Sequence, residues 1–167
     1  DGRFHDFIGD IASLGIGVKS LVGNIQSGNT RAAIGDGVGI TKEAAASVTT
    51  WNNWFANNTK ITVFNEFQLF ENVKLLKGGW NSGSFYGCTN LTEISLPQSI
   101  TELGSCCFMN SANLVFDVDL PLLAKANSAP FHGSGIRRIL NLGNMVTIPS
   151  KQSSGGHTFA GNCKNLE

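Results

Sequence analysis

The sequence predicts an α+β fold, in which a short helical N-terminal region precedes a solenoid of short parallel strands. Two periodic patterns lead to this prediction. Apolar residues recur every seven positions near the start of the chain, which is typical of an amphipathic helix. In the second half, an aromatic-led motif returns at intervals of about 23 residues, which is typical of coils stacked in a solenoid.

The composition is that of a folded chain without a nucleic-acid partner or a membrane span. The 167 residues include 12 Lys and Arg and 12 Asp and Glu, so the formal net charge is zero, and hydrophobic residues make up 41%. A neutral chain lacks the basic surface that nucleic-acid binding needs, and a chain this apolar is not typical of disorder. No apolar run approaches the roughly 18 residues of a transmembrane helix. Because the chain begins at Asp1 and ends inside a repeat, we expect it to be part of a longer protein.

Residues 1–60 are predicted to form a helical anchoring or oligomerising region. A strict heptad pattern gives an assembly helix one apolar stripe. The residues of that stripe are Phe4, Phe7, Ile11, Leu14, Val18, Leu21 and Ile25. Gly15 and Gly17 interrupt the helix and each cost about 1 kcal/mol relative to alanine, so packing must stabilise it. The surface it packs on is either another helix of the same chain or a second copy in an oligomeric stalk.

A second helix is predicted over residues 41–55. A threonine at its N-cap and three consecutive alanines favour helix in this segment. Val48, Trp51 and Phe55 would then share one buried face. Trp54 would point away from that face, so we expect it to be exposed.

The repeat is clearest at residues 85–97. Its apolar residues follow steps of three and then two, which fit neither one helix stripe nor one strand but do fit a coil in which each residue points inward. The last step is the alternation of a short strand with one buried face, and Pro97 ends that strand. Over all copies, the predicted repeat core is Phe85, Cys88, Leu91, Ile94, Leu96, Phe108, Leu114, Phe131, Ile139 and Phe159.

Residues 61–79 are predicted to cap the solenoid, and residues 80–167 to form its repeats. The apolar residues of the cap segment do not keep the repeat pattern, and a solenoid end needs an atypical unit to cover its first coil. Trp80 follows two glycines and is predicted to fill the junction between cap and repeats.

The unit FYGCTNLTEISLP at residues 85–97, with its continuation SITELGSCCF at residues 99–108, resembles the BspA-like (Treponema pallidum-type) leucine-rich repeat. The resemblance covers roughly residues 80–167. It implies a curved parallel solenoid and a surface-displayed, ligand-binding role, and it brings no catalytic residues. Members are typically found on oral and gut bacteria, on some protists and in proteins of gut bacteriophages, where they are associated with adhesion.

A few polar residues could carry chemistry, although ordinary structural roles fit them as well. Asp117 and Asp119 alternate on a strand and could hold Ca²⁺ or transfer protons, but no third ligand lies near them in sequence. His132 and His157 lie beside repeat aromatics and could act together, and the arginine doublet at residues 137–138 could contact an acidic partner. The four cysteines form no CxxC pair, so we expect buried, reduced thiols and predict neither a metal nor a cofactor.

The sequence therefore predicts a non-enzymatic structural and adhesion module. We expect a component of a bacteriophage virion fibre or tail or head appendage, because the heptads supply an element for assembly. The alternative is a bacterial cell-surface or secreted adhesin that binds host proteins or glycans, and a third possibility is a solenoid attached to an enzyme. The expected partners are other protein chains, met through the N-terminal helix or in a larger assembly, and a cell-surface protein or glycan. The expected location is the virion surface or the cell exterior.

Overall fold

The structure, a computed structural model, describes residues 46–149 and 158–167. The predicted assembly helix, with its apolar stripe from Phe4 to Ile25, lies outside the described residues, as does His157. The described residues contain eight short strands and one 3-10 helix. In chain order these are β1 (Thr50–Trp51), β2 (Val63–Phe64), the 3-10 helix (Asn65–Leu69), β3 (Leu75–Leu76), β4 (Glu93–Ile94), β5 (Glu102–Leu103), β6 (Asp117–Asp119), β7 (Lys125–Ala126) and β8 (Arg138–Asn141).

Every strand pair is parallel and joins one coil of the chain to the next. Strands β1, β3, β5 and β7 form a four-stranded sheet in that order. The strands between them form two separate pairs, β2 with β4 and β6 with β8. Because the chain alternates between the first sheet and these pairs, it winds as a solenoid. The predicted solenoid of short parallel strands is therefore confirmed.

Each strand of the four-stranded sheet turns its second side chain into the core. The parallel register places these side chains directly beside each other in successive coils. The inward residues are Trp51, Leu76, Leu103 and Ala126. A second buried apolar residue precedes each of them by three positions, and this set is Val48, Val73, Ile100 and Leu123. Stacked coils bury this wall of the core together, which no single coil could do alone.

A column of phenylalanine rings forms the other main part of the core. Phe55, Phe85, Phe108 and Phe131 stack in this order, with centroids 6.0, 5.3 and 5.6 Å apart and planes within 13° of parallel. Phe159 ends the column edge-on, with its centroid 5.5 Å from that of Phe131. Such aromatic pairs stabilise a core by about 0.5–1.5 kcal/mol each beyond the area they bury.

The second predicted helix, residues 41–55, is wrong for the part that the structure describes. Residues Thr50–Trp51 form strand β1 instead, and Phe55 opens a copy of the repeat. The four-residue step from Trp51 to Phe55 fits a helix face, but it also fits a strand followed by a turn. The rings of Trp51 and Phe55 both stack on Phe85, at centroid distances of 6.2 and 6.0 Å, and this packing favours the strand over the helix.

Both tryptophan predictions are also wrong. Trp54 is only 4% exposed, because its ring packs edge-on against Trp51 at a centroid distance of 5.0 Å. Trp80 is 57% exposed instead of filling a junction. The coils instead meet there through glycine backbone. Gly78 packs so closely that a Cβ on it would collide with the backbone of Gly104 and Ser105 in the next coil.

Residues 61–79, expected to be a cap, contribute β2 and β3 to the strand pairs just described. Their buried apolar residues, with no measurable exposure, are Ile61, Phe64, Phe67, Phe70, Val73 and Leu76. The 3-10 helix makes this coil longer than those that follow it. The division of the chain at residues 60 and 79 stays a prediction.

Candidate functional site

The predicted repeat-core residues lie on the inner side of the coils. Two of them, Leu96 and Ile139, are partly buried and pack against the core. The other eight are buried: Phe85, Cys88, Leu91, Ile94, Phe108, Leu114, Phe131 and Phe159. The surface available for binding is therefore made by the residues between these positions and by irregularities in the stacking.

A cysteine or serine three or four residues after a repeat phenylalanine joins neighbouring coils at Cys88, Ser111 and Cys163. The side chain of each donates a hydrogen bond to the carbonyl of the repeat phenylalanine in the preceding coil. These bonds run from Cys88 Sγ to Phe55 O at 3.0 Å, from Ser111 Oγ to Phe85 O at 2.6 Å and from Cys163 Sγ to Phe131 O at 3.0 Å. Burial raises the pKa of the Cys88 thiol to about 12, so the thiol stays protonated and able to donate. The position therefore requires a small donor and not only a small side chain.

An asparagine two residues further on forms a second set of bonds between coils. The amide nitrogen of Asn90 donates to Thr59 O at 2.6 Å, and that of Asn113 donates to Thr89 O at 2.7 Å. Asn165 makes the equivalent contact. The sequence reasoning missed these residues, although the repeated Asn-Leu dipeptide is a signal that could have revealed them.

Two residues after each phenylalanine of the parallel-stacked column (Phe55, Phe85, Phe108 and Phe131), the backbone is left-handed. Asparagine and glycine alternate there, at Asn57, Gly87, Asn110 and Gly133, with φ between 60° and 68°. A Cβ on Gly87 would lie 2.6 Å from Asn57 Oδ1, and one on Gly133 would lie 2.8 Å from Asn110 Oδ1. Glycine in one coil therefore leaves room for the asparagine side chain of the coil before it.

One irregularity in the stacking opens a groove between β4 and β6. The core leucine precedes the proline by six residues in one coil, Leu91 to Pro97, but by seven in the next, Leu114 to Pro121. The third residue after the leucine is the buried Ile94 in the first case and the outward-facing Asp117 in the second. A one-residue slip exchanges the two faces of a strand, so β6 pairs with β8 and not with β4.

The space left at this break, which we call the β4–β6 groove, has a volume of about 370 Å³. Its lining comes from three consecutive coils and is made of Gln68, Glu71, Ile94, Ser95, Leu96, Gln98, Ser99, Phe116, Asp117 and Asp119. Ile94 and Phe116, each 7% exposed, supply apolar surface, and the carboxylates are acidic points on its wall.

The arginine doublet is paired with one of the candidate carboxylates. Asp117 accepts hydrogen bonds from Arg137 Nε at 2.9 Å, Arg137 Nη2 at 3.0 Å and Arg138 Nη2 at 2.6 Å. These hydrogen bonds hold the pKa of Asp117 well below its usual range. Both arginines are therefore paired within the chain, and Asp117 is not free to bind Ca²⁺ together with Asp119. Within residues 46–149 and 158–167, no group of three or more His, Cys, Asp or Glu side chains could hold a metal.

The remaining candidates have structural contacts or are exposed. His132 is buried, its Nδ1 accepts a hydrogen bond from the Thr158 backbone N–H at 3.2 Å, and its Nε2 lies 3.1 Å from the Asn162 amide. It thereby ties the last described coil to its neighbour. Trp80 presents an exposed indole whose centroid lies 6.2 Å from that of Tyr86.

The comparison with protein families matches this architecture. The model for the BspA type Leucine rich repeat region matches residues 52–167 with six copies, which is more than half of the chain. The chain belongs to this family. The match includes the copy at Phe55, which the sequence reasoning missed because Asn58 and Phe64 stand where Cys88 and Ile94 stand in the clearest copy.

No curated protein and no solved structure matches the chain at a significant level. In the described part of the chain, no helix is long and apolar enough to cross a membrane.

Proposed function

We propose that this BspA-type protein is a non-enzymatic adhesion module of a bacteriophage virion, carried on a fibre or on a tail or head appendage. BspA-type leucine-rich repeats are typical of repeat-based binding modules that lie on surfaces or outside cells. In this proposal the solenoid presents the binding surface, and residues 1–60 assemble the chain with other chains.

The observation that carries the proposal is the continuous stack of coils, which displays a similar strip of surface from each repeat. Two of the polar candidates for chemistry in the described residues, His132 and Asp117, serve the stack itself. His132 bonds to the neighbouring coil, and Asp117 pairs with Arg138 of β8 and with Arg137 directly before it. These contacts support a role in binding by an extended surface.

The heptad pattern supports the assembly role of residues 1–60. If this stripe joins chains, light scattering of residues 1–167 gives a dimer or a trimer, and the double variant Ile11→Asp, Val18→Asp gives a monomer. Ser13→Asp with Ser20→Asp adds the same charge off the stripe and leaves the oligomer intact. A monomeric parent chain would contradict the assembly role.

A second candidate is a bacterial cell-surface or secreted adhesin that binds host proteins or glycans. The exposed indole of Trp80 supports it, because an exposed aromatic ring suits stacking on a sugar as well as contact with a protein. This function needs no assembly through residues 1–60.

Immunogold electron microscopy of the native source separates the two candidates. An antibody raised against residues 61–167 labels discrete viral particles if the protein belongs to a virion. Label on the cell envelope would contradict the virion proposal and support the adhesin. Pre-absorption of the antibody with the purified chain is the control, and it abolishes specific label in either case.

A further inference from the structure

We infer that the β4–β6 groove binds a lysine side chain of a partner protein. The inference rests on the proposed binding function and names the ligand chemistry of one place on the solenoid. It follows from the shape of the groove, from its apolar surface and from the charges around it.

The apolar surface of the groove suits the stem of a lysine. Ile94, Leu96 and Phe116 offer carbon surface from two neighbouring coils. A lysine side chain lays its methylene groups along such a surface while its ammonium stays at the edge in water. A volume of about 370 Å³ is at the lower end for ligand sites and has room for a side chain.

The charges of the groove favour a cation. Among the residues that the structure describes, three carboxylates line it, those of Glu71, Asp117 and Asp119, and no cationic side chain does. Arg137 and Arg138 both pair with Asp117 and exceed its charge by one, so the three carboxylates and the two guanidinium groups together carry a net charge of −1. In the described ranges 46–149 and 158–167, neither Glu71 nor Asp119 has an ion pair.

The placement of the two carboxylates without ion pairs favours lysine over other ligands. Glu71 follows the 3-10 helix in one coil, Asp119 ends β6 two coils later, and β4 lies in the coil between them. An ammonium is a compact charge with three donors that can face carboxylates on two sides, whereas a guanidinium fits one carboxylate best through its planar fork. An acidic ligand would be repelled, and a neutral sugar would leave both charges without a counterion.

Nuclear magnetic resonance of the ¹⁵N-labelled 167-residue chain tests the inference. The probe is the peptide acetyl-Gly-Ser-Lys-Ser-Gly-amide, and the two control peptides carry norleucine or arginine in place of lysine. We expect the lysine peptide to shift the backbone amides of residues 94–96 and 117–119 in a saturable way. The norleucine peptide keeps the apolar stem without the charge, so we expect it to bind more weakly.

Two isosteric variants test the carboxylates. Glu71→Gln and Asp119→Asn each weaken binding of the lysine peptide by about twofold to fivefold, the range for an exposed ion pair. Glu102→Gln is the matched control, because Glu102 lies in the four-stranded sheet and pairs with Lys125, and it leaves the affinity unchanged. Retained dispersion of the amide spectrum shows that each variant is folded.

Three results would overturn the inference: equal binding of the norleucine peptide, tighter binding of the arginine peptide, or shifts confined to other residues. Loss of the lysine site is distinguishable from failure of the proposed function. If the peptide does not bind but the antibody still labels virions or cell envelopes, the groove has a different role and the adhesion module stands.

Discussion

Replacement of Ser111 by alanine tests the hydrogen bonds that join the coils. The Ser111 side chain has no measurable exposure. Its Oγ donates to the Phe85 carbonyl at 2.6 Å and accepts from the Cys88 backbone N–H at 3.1 Å, both across a coil boundary. Alanine removes both bonds without creating a large cavity.

The expected loss follows from these two backbone groups. A buried donor or acceptor that loses its partner costs about 1–3 kcal/mol, and two such groups are affected. The hydroxyl no longer has to be buried, which offsets part of this cost. We therefore expect Ser111→Ala to lower the free energy of unfolding by about 2–4 kcal/mol.

Urea denaturation of the 167-residue chain, followed by circular dichroism, measures this loss. Ser111→Cys is the matched control, because Cys88 and Cys163 make the equivalent bond in other coils. We expect the cysteine variant to lose less than half of what the alanine variant loses. A loss of unfolding free energy below about 0.5 kcal/mol for the alanine variant, or an equal loss for both variants, would refute the role of the donor. A buried donor or acceptor left without its partner destabilises the folded chain by more than this.

Three further predictions concern the core, the left-handed turn and pH. Leu91→Ala empties a fully buried position and lowers the free energy of unfolding by about 2–5 kcal/mol in urea, and a loss below about 0.5 kcal/mol would place Leu91 outside the core. Gly87→Ala lowers the free energy of unfolding in urea by about 1–2 kcal/mol, because φ is +64° and the added Cβ meets Asn57 Oδ1. The loss is smaller in an Asn57→Gly background, and an equal loss in both backgrounds would contradict the contact. The pKa of Asp117 is depressed in the folded chain, so its contribution to stability is present above about pH 4 and is lost as the pH falls toward the folded pKa. Melting temperatures between neutral and acidic pH therefore fall less steeply for Asp117→Asn than for the parent chain, and identical slopes would contradict the pairing.

Local spacing was enough to predict the solenoid but not where it begins. The steps from Phe85 to Leu96 have no helical explanation, so they identify a coil directly. The step from Trp51 to Phe55 fits two structures, and only the stacking of both rings on Phe85 separates them. The contacts that favour the strand over the helix join residues about 30 positions apart, so a local sequence pattern cannot reveal them.

The groove and its charges depended on register, which spacing alone does not fix. The extra residue between Leu114 and Pro121 is visible in the sequence, but its effect is to exchange the faces of β6, and this appears only when β6 is set beside β4. The pairing of Asp117 with Arg138 likewise follows from the register of β6 with β8. In both cases neighbours in space are about twenty residues apart in sequence.

The central claim is that one continuous stack of coils starts at β1, and amide hydrogen exchange tests it most directly. Equivalent amides follow three successive strands: Lys77 N–H donates to Trp51 O at 2.9 Å, Gly104 N–H to Leu76 O at 2.8 Å and Asn127 N–H to Leu103 O at 2.9 Å. The claim predicts strong and similar protection for Lys77, Gly104 and Asn127. Rapid exchange at Lys77, with Gly104 and Asn127 protected, would contradict it, because the coil at β1 would then not belong to the stack.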